Sequence, residues 1–305
     1  MTHITQTPAY IIENDQQALN AAYQVADFAL NTRNERDQCR ILPIEEIEQF
    51  SFKGLGGIRI PKAFGGAFVS NKTLAQVFRI LSKADANVGQ IPQNQIALLN
   101  MINMMGNEQQ KKFIFSEILH GKRLANGGPE RYTKDSKTLE TTLSVKDGQY
   151  ILNGEKFYST GSSFAHWLAI KAVHPEGHVV LVIIDAQEKG VEVINDWYGF
   201  GQRTTASGTV RLNQVRVNPD LIFDERKLYE KPNYRGAYSQ LLQVAIDVGI
   251  AEAAFAETLT AVHKARPIID AQVEKASSEH YTLQEVGKLN ILLDASILLL
   301  DEAAE

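Results

Sequence analysis

One cysteine in 305 residues, Cys39, excludes an internal disulfide and suits a reducing compartment. No stretch of about 18 uncharged apolar residues could span a bilayer, and the opening MTHITQTPAYIIENDQQ lacks the apolar run of a signal peptide. A cytoplasmic protein with no membrane partner is therefore expected. Basic charge is also short: 31 Lys and Arg stand against 36 Asp and Glu, a formal net charge of −5. No basic field exists to hold a nucleic acid backbone. The seven histidines are scattered, and no pair is read as having zinc-ligand spacing together with a cysteine or carboxylate, so no metal site is expected. GxSxG, HExxH and the Walker P-loop are absent as well. The glycine-rich GLGGIRIPKAFGG does not sit between a strand and a helix with an acidic residue about 20 positions later, which leaves a Rossmann reading weak.

What is present is an ordinary globular composition, 44% hydrophobic and 22% charged, long enough for two or three packed units. Residues 1–121 read as a helical domain. Leu74, Val77, Phe78 and Leu81 share one helical face behind a Ser70–Asn71 cap, and Ala22, Val25, Ala26, Ala29 and Leu30 form a second stripe. Residues 122–230 change to short β-type runs. In TTLSVKDGQYILNGEKFYS, Leu143 and Val145 alternate with polar neighbours, Asp147–Gly148 supplies a hairpin turn, and Tyr150 and Leu152 resume the alternation. WLAIKAV, HVVLVIID and TVRLNQVRV follow without a long helix between them, which predicts an antiparallel sheet or barrel. Residues 231–305 return to helix. SQLLQVAIDVGIAEAAFAETLTAVHKA runs to Pro267, and a second helix from near Thr282 is still running at Glu305. Helices this apolar need a partner, so either the chain oligomerises or further sequence completes the bundle. The fold class expected is α+β multidomain: N-terminal helical domain, middle antiparallel β-barrel or sheet domain, and an incomplete C-terminal helical bundle.

Three polar clusters fall where strands end. LANGGPER (124–131) offers two glycines and Asn126, though its spacing alone favours a plain loop into the sheet. EKFYSTGSSFAHW (155–167) places aromatics beside Ser159 and Thr160. NDWYGFGQRTTASGT (195–209) sets Trp197 and Phe200 between glycines. An aromatic-and-hydroxyl surface suits a planar heterocycle such as a flavin; a turn packed with aromatics is the other reading.

With NGEKFYSTG in the β zone and GFGQRTTASGTVRLNQVRV closing it, the order helical, β, helical resembles the acyl-CoA dehydrogenase superfamily from about residue 15 onward. VFRILSKADANVGQIPQNQIALL, KFYSTGSSFAHW, DWYGFGQRTTASGT and ARPIIDAQVEKASSEHYTLQEVGKL are similar to its flavin monooxygenase branch, of the dibenzothiophene monooxygenase and sulfur-acquisition type. The resemblance implies that Asn126 hydrogen-bonds the flavin and its oxygen adduct, and that Thr160 is the hydroxyl near the reacting flavin atoms; these two are the expected catalytic residues. Tyr158 and Ser159 would line the same strand, and Trp197 would lie against the flavin ring. Arg266 would reach a flavin phosphate from a neighbouring subunit, a contact that suits a guanidinium; a solvated charge at a helix C-terminus is the alternative.

Gln95 and Tyr158 are expected at the substrate. Gln95 stands where the branch often has a histidine, and it cannot serve as a base near neutral pH. Pro129–Glu130 replaces the dehydrogenase Thr-Glu-Pro or Ser-Glu pattern, and no Asp or Glu occurs from Asn233 to Ile246, where some dehydrogenases place the base. The expectation is a two-component monooxygenase that takes reduced flavin from a separate flavin reductase and oxidises a small organosulfur compound as a homodimer or homotetramer. ARPIID replaces the pattern associated with adenine-side binding, which favours FMN and leaves FAD open. The rival readings are an acyl-CoA dehydrogenase and a truncated, non-catalytic flavin-fold protein.

Overall fold

The computed structural model describes residues 9–135 and 138–305. Six helices come first: α1 (Asp15–Leu30), α2 (Arg33–Cys39), α3 (Ile44–Phe52), α4 (Asn71–Ala84), α5 (Ala86–Met105) and α6 (Glu108–Leu119). Their ends carry the polar side chains that orphan backbone N–H groups require. Asn14 accepts from Gln17 N, Ser70 from Thr73 N, and Asn107 forms a capping box with Gln110. Asp85 is extended (φ −152°), so α4 stops there, and its side chain caps α5 through Asn87 N. The same carboxylate takes a 2.6 Å bond from the buried Arg36, which also pairs with Glu46 and ties α2, α3 and α5 together.

The strands are β1 (Leu124–Gly127), β2 (Thr142–Lys146), β3 (Gln149–Lys156), β4 (Trp167–Val173), β5 (Val179–Asp185), β6 (Val191–Ile194), β7 (Thr209–Val217) and β8 (Ile222–Asp224). They form one sheet in the order β6-β7-β3-β2-β4-β5-β8, with β1 added beside β4. The sheet is mixed, where a wholly antiparallel one is expected from the strand spacing. β1 and β2 both run parallel to β4, and the rest of the pairs are antiparallel. A parallel β1–β4 pair needs a long connection, and the β2–β3 hairpin with the Phe157–His166 segment supplies it.

β2 meets β4 at a single pair, Thr142↔Val173, so the sheet bends there and its two halves close over one core of Leu143, Leu152, Leu168, Ile170, Val182, Val210 and Leu212. The opposite face of β4 and β5, with Ala169, Leu181 and Ile183, packs on Leu98, Ile102 and Phe115 of α5 and α6. β5 is thus covered on both sides, which explains its unbroken apolar run.

The chain then enters α7 (Arg235–Lys264), a 30-residue helix that packs on α4, and α8 (His280–Ala303), capped by Glu279. α7 ends at an extended Ala265, two residues before Pro267. Leu289, Ile291, Leu292, Leu298 and Leu299 of α8 are exposed. A groove of about 640 Å³ between α7 and α8 is lined by Leu241, Val244, Val248, Leu299 and Leu300.

Candidate functional site

Backbone hydrogen bonds join the three polar clusters. β1 brings in the first of them. A Cβ at Gly127 would stand 2.4 Å from Ile170 Cδ1, so a side chain there would have to push the Ile170 tip aside where β1 lies against β4. Asn126 is the half-exposed residue of an otherwise buried strand, and it pairs in register with Ala169.

Beyond the glycines, Glu130 turns inward. Its carboxylate takes a 2.5 Å bond from Lys156 Nζ and accepts from Glu140 N at 2.7 Å and Thr141 N at 3.1 Å. Lys156 has 0% and Glu130 4% of its side chain exposed, and Lys156 also donates to Gly128 O at 3.2 Å. Burial pushes the Lys156 ammonium below the usual lysine range, against the raising effect of Glu130. Burial pushes the Glu130 carboxyl up, but the bonds from Lys156, Glu140 N and Thr141 outweigh it and hold the group below its ordinary value. The pair therefore fastens the end of β3 to the first cluster.

The second cluster continues β3. Phe157 N donates to Pro129 O, Ser159 N to Gly208 O and Gly161 N to Thr205 O. Gly161 takes φ +81°, a left-handed turn that sends the chain past Ala125 and Ile91. These bonds hold the third cluster alongside. Thr160 Oγ1 lies 2.8 Å from Ser207 Oγ, which lies 2.7 Å from Thr205 Oγ1. Thr205 Oγ1 donates to Gln202 O, and so does Trp197 Nε1, at 2.9 Å. A chain of three hydroxyls thus runs from Thr160 to the carbonyl that anchors the indole of Trp197. The Trp197 ring meets Tyr158 edge-on, 5.7 Å between centroids, and a side chain on Gly199 would collide with it at 2.5 Å.

Arg131 links all three segments. Its guanidinium lies 3.2 Å from the Phe157 ring centroid and 3.5 Å from Asp196, whose carboxylate accepts from both Thr209 N and Thr209 Oγ1 at 2.8 Å. Burial raises the Asp196 carboxyl, and the two Thr209 bonds with the Arg131 charge more than reverse it, leaving it below the usual value.

The structure thus gathers Asn126, Tyr158, Ser159, Thr160 and Trp197 on segments bonded to one another. Gln95 sits apart from the hydroxyls. It is 3% exposed, and both ends of its amide are used: Nε2 donates to Gly56 O and Oε1 accepts from Leu124 N, each at 3.0 Å. It borders a cavity of about 20 Å³ with Arg123, Ala125, Gly161 and Phe164, so it shapes that wall and offers no free polar atom. Arg266 is exposed past the end of α7, without a hydrogen bond or ion pair among the described residues.

Lys156, Arg131, Thr205 and Ser207 escape a reading by cluster composition alone. Only Lys156 leaves a signal, a charge on the face of β3 that Leu152 buries, which demands a buried partner. Near the small cavity, burial and the Arg123 charge push the His166 imidazole down to about 4, and its Nδ1 accepts from Arg123 N at 3.1 Å. His166 is therefore neutral at ordinary pH.

The arrangement fits a flat, hydrogen-bonding heterocycle. The buried hydroxyls of Ser159, Ser162 and Thr204 have no hydrogen-bond partner among the described residues, and they sit on the same loops as the Thr160–Ser207–Thr205 chain and the Tyr158–Trp197 aromatics. Buried hydroxyls left unmatched cost about 1–3 kcal/mol each, a cost that a water or a bound polar group relieves.

Residues 13–122 match the family model "Acyl-CoA dehydrogenase, N-terminal domain" and residues 130–215 match "Acyl-CoA dehydrogenase, middle domain", together more than half of the chain. A dibenzothiophene monooxygenase of Mycolicibacterium goodii is 27% identical over 286 residues, covering 89% of this chain and 69% of that protein. The "Probable FMNH2-dependent monooxygenase SfnC" of Pseudomonas putida is 26% identical over 294 residues, covering 94% and 73%. Among solved structures, TdsC from Paenibacillus sp. A11-2 in complex with FMN and indole superposes with a TM-score of 0.86 at 26% identity, over 94% of this chain and 75% of that one.

Proposed function

The chain belongs to the acyl-CoA dehydrogenase family, and on that premise we propose that it is a flavin-dependent monooxygenase acting on a small organosulfur compound. The observation that carries this reading is the hydroxyl chain from Thr160 through Ser207 and Thr205, on the same segments as the Tyr158–Trp197 aromatics. The relatives named as monooxygenases, one FMNH2-dependent and one solved with FMN, support FMN as the cofactor. Reduced flavin, when bound, supplies the electrons that let molecular oxygen deliver one atom to the substrate and one to water.

The protein's own part is positioning. Asn126 offers both a donor and an acceptor to the flavin edge. Thr160 presents its hydroxyl at the reacting side, with Ser207 and Thr205 fixing the direction of its proton. Trp197, locked by its bond to Gln202 O, supplies a flat apolar wall that excludes water, and Tyr158 stands at the mouth, 53% exposed, where substrate enters. Ser159 contributes a buried hydroxyl without a protein partner. Arg266, exposed and unpaired among the described residues, is free to reach a phosphate on a flavin held by a neighbouring copy. The apolar α7–α8 face supports a homodimer or homotetramer, and a separate flavin reductase would supply FMNH2.

A dehydrogenase would need a carboxylate base. Glu130 is committed to Lys156 and two backbone donors, and the first acid of α7, Asp247, is exposed along the α7–α8 groove. Anaerobic addition of an acyl-CoA to flavin-loaded protein separates the two activities. Unchanged flavin absorbance there, with substrate oxidation when a reductase and oxygen are present, is expected. Bleaching by the thioester would mark a dehydrogenase instead.

A further inference from the structure

We propose that His174, Glu176 and His178 form a binding site for a divalent transition-metal ion at the tip of the β4–β5 hairpin. The ladder between these strands ends at the pair Val173↔Val179. The next two residues out are His174 and His178, joined by His174 N→His178 O at 2.8 Å; Gly177 N→His174 O, also 2.8 Å, closes the turn. Gly177 has φ +85°, so Pro175, Glu176 and Gly177 make a tight three-residue connection that needs a glycine in third place. Residues opposed across such a hairpin project to the same side. The two imidazoles accordingly face each other with centroids 4.6 Å apart, and Glu176 leans over them from the turn.

The distances suit an ion better than direct bonds. Glu176 Oε2 lies 3.9 Å from His174 Nδ1 and 3.8 Å from His178 Nδ1, too far for hydrogen bonds, and one ligand atom from each of the three residues fits within 4.8 Å. Bonds of about 2.0–2.1 Å in a tetrahedral shell put neighbouring ligand atoms about 3.3 Å apart, so each Glu–His contact must tighten by roughly half an ångström. The turn can give that much, since the Glu176 side chain is 72% exposed.

His178 Nδ1 is buried yet has no hydrogen-bond partner among the described residues, and an orphaned ring nitrogen of this kind calls for one. His174 Nδ1 accepts from Glu176 N at 3.3 Å, a long bond that it gives up on binding the ion, leaving Glu176 N to water at the exposed turn. Two imidazoles with one carboxylate favour zinc, nickel or copper over magnesium or calcium, which prefer oxygen shells. Asp224, across from Val180, is not free to join. The bonds from Arg226 hold its carboxyl down near 2.

The site is distinct from the flavin-binding edge. His174 lies five residues past Ala169, the register partner of Asn126, or about 16 Å along the strand. An ion there would staple the turn end of a hairpin whose second strand is buried on both faces.

Calorimetric titration of the metal-stripped full chain with ZnCl2, NiCl2 and MgCl2 tests the proposal. Zinc and nickel should bind at one ion per chain and magnesium should not. His174→Ala and His178→Ala should each weaken zinc by about tenfold or more, and Glu176→Gln by less. Zinc should raise the Tm of the wild type and not that of the histidine variants, whose metal-free Tm should match the wild type. All three variants should keep flavin-dependent activity. Absence of zinc binding, or zinc affinity within twofold of wild type in both histidine variants, overturns the site.

Discussion

Glu130→Ala isolates the interaction that holds the site together. The substitution leaves the Lys156 ammonium in a pocket with 0% side-chain exposure and one remaining neutral acceptor, Gly128 O, at 3.2 Å. Breaking a buried pair by removing one partner costs about 3–5 kcal/mol, because the other charge stays desolvated. Thr141 N also loses its acceptor in a part-buried position, whereas Glu140 N is exposed and water replaces the lost bond. A loss of about 4 kcal/mol lowers the Tm by roughly 10 °C in a unit of this size. Trp167 and Trp197, the chain's two tryptophans, both lie in the β region, so their fluorescence follows the unit affected. The control is Glu130→Gln/Lys156→Met, which removes both charges and keeps the volume. It should recover most of the stability, since no buried charge is left unpaired and the Gln amide oxygen still accepts from Thr141 N. FMN affinity should fall in Glu130→Ala and return in part in the double variant, because the pair fastens Gly128 to the end of β3. A Glu130→Ala protein within about 0.5 kcal/mol of wild type, or a double variant less stable than Glu130→Ala, would refute this reasoning.

Thr160→Val keeps the branched shape and removes the hydroxyl. Product formation should drop by about 10²-fold while stability changes by less than about 1 kcal/mol, measured by turnover and thermal melting; equal activity would free Thr160 of any role. Trp197→Phe removes the bond to Gln202 O, and weaker FMN binding with more uncoupled oxygen consumption should follow, read by comparing oxygen used with product formed. His166 predicts an acid-sensitive fold. Its folded value near 4 lies below the unfolded value of about 6.5, so the unfolded chain binds the proton first and stability declines as pH falls through that window. Solvent screening of this half-buried group reduces the effect to about 1–2 kcal/mol, and His166→Asn should flatten the stability–pH curve between about pH 6.5 and 4.

Much of the fold was legible because local signals agreed. The Leu74–Val77–Phe78–Leu81 stripe behind Ser70 is α4, Asp147–Gly148 is the β2–β3 turn, and Pro267 follows the end of α7. The parallel placement of β1 was not legible, since strand spacing says nothing about which distant segments pair. At the site, sequence likeness singled out Asn126, Thr160 and Trp197, while the members that connect them stayed hidden. Lys156, Ser207 and Arg131 act through partners 26, 47 and 65 positions away in the chain, and only folding reveals such contacts. The histidines of the β4–β5 tip were passed over for a simpler reason. Their spacing of four is metal-compatible only once a three-residue turn brings them face to face.

The central claim is that this fold directs oxygen from reduced FMN to an organosulfur substrate. Turnover under ¹⁸O2 with an NADH-dependent flavin reductase, FMN and an alkyl or aryl sulfur compound, followed by mass spectrometry of the product, tests it directly. One labelled oxygen per oxygenation is predicted, with none from labelled water. A product without label, or substrate oxidised at the same rate when hydrogen peroxide replaces the reductase and FMN, would contradict it.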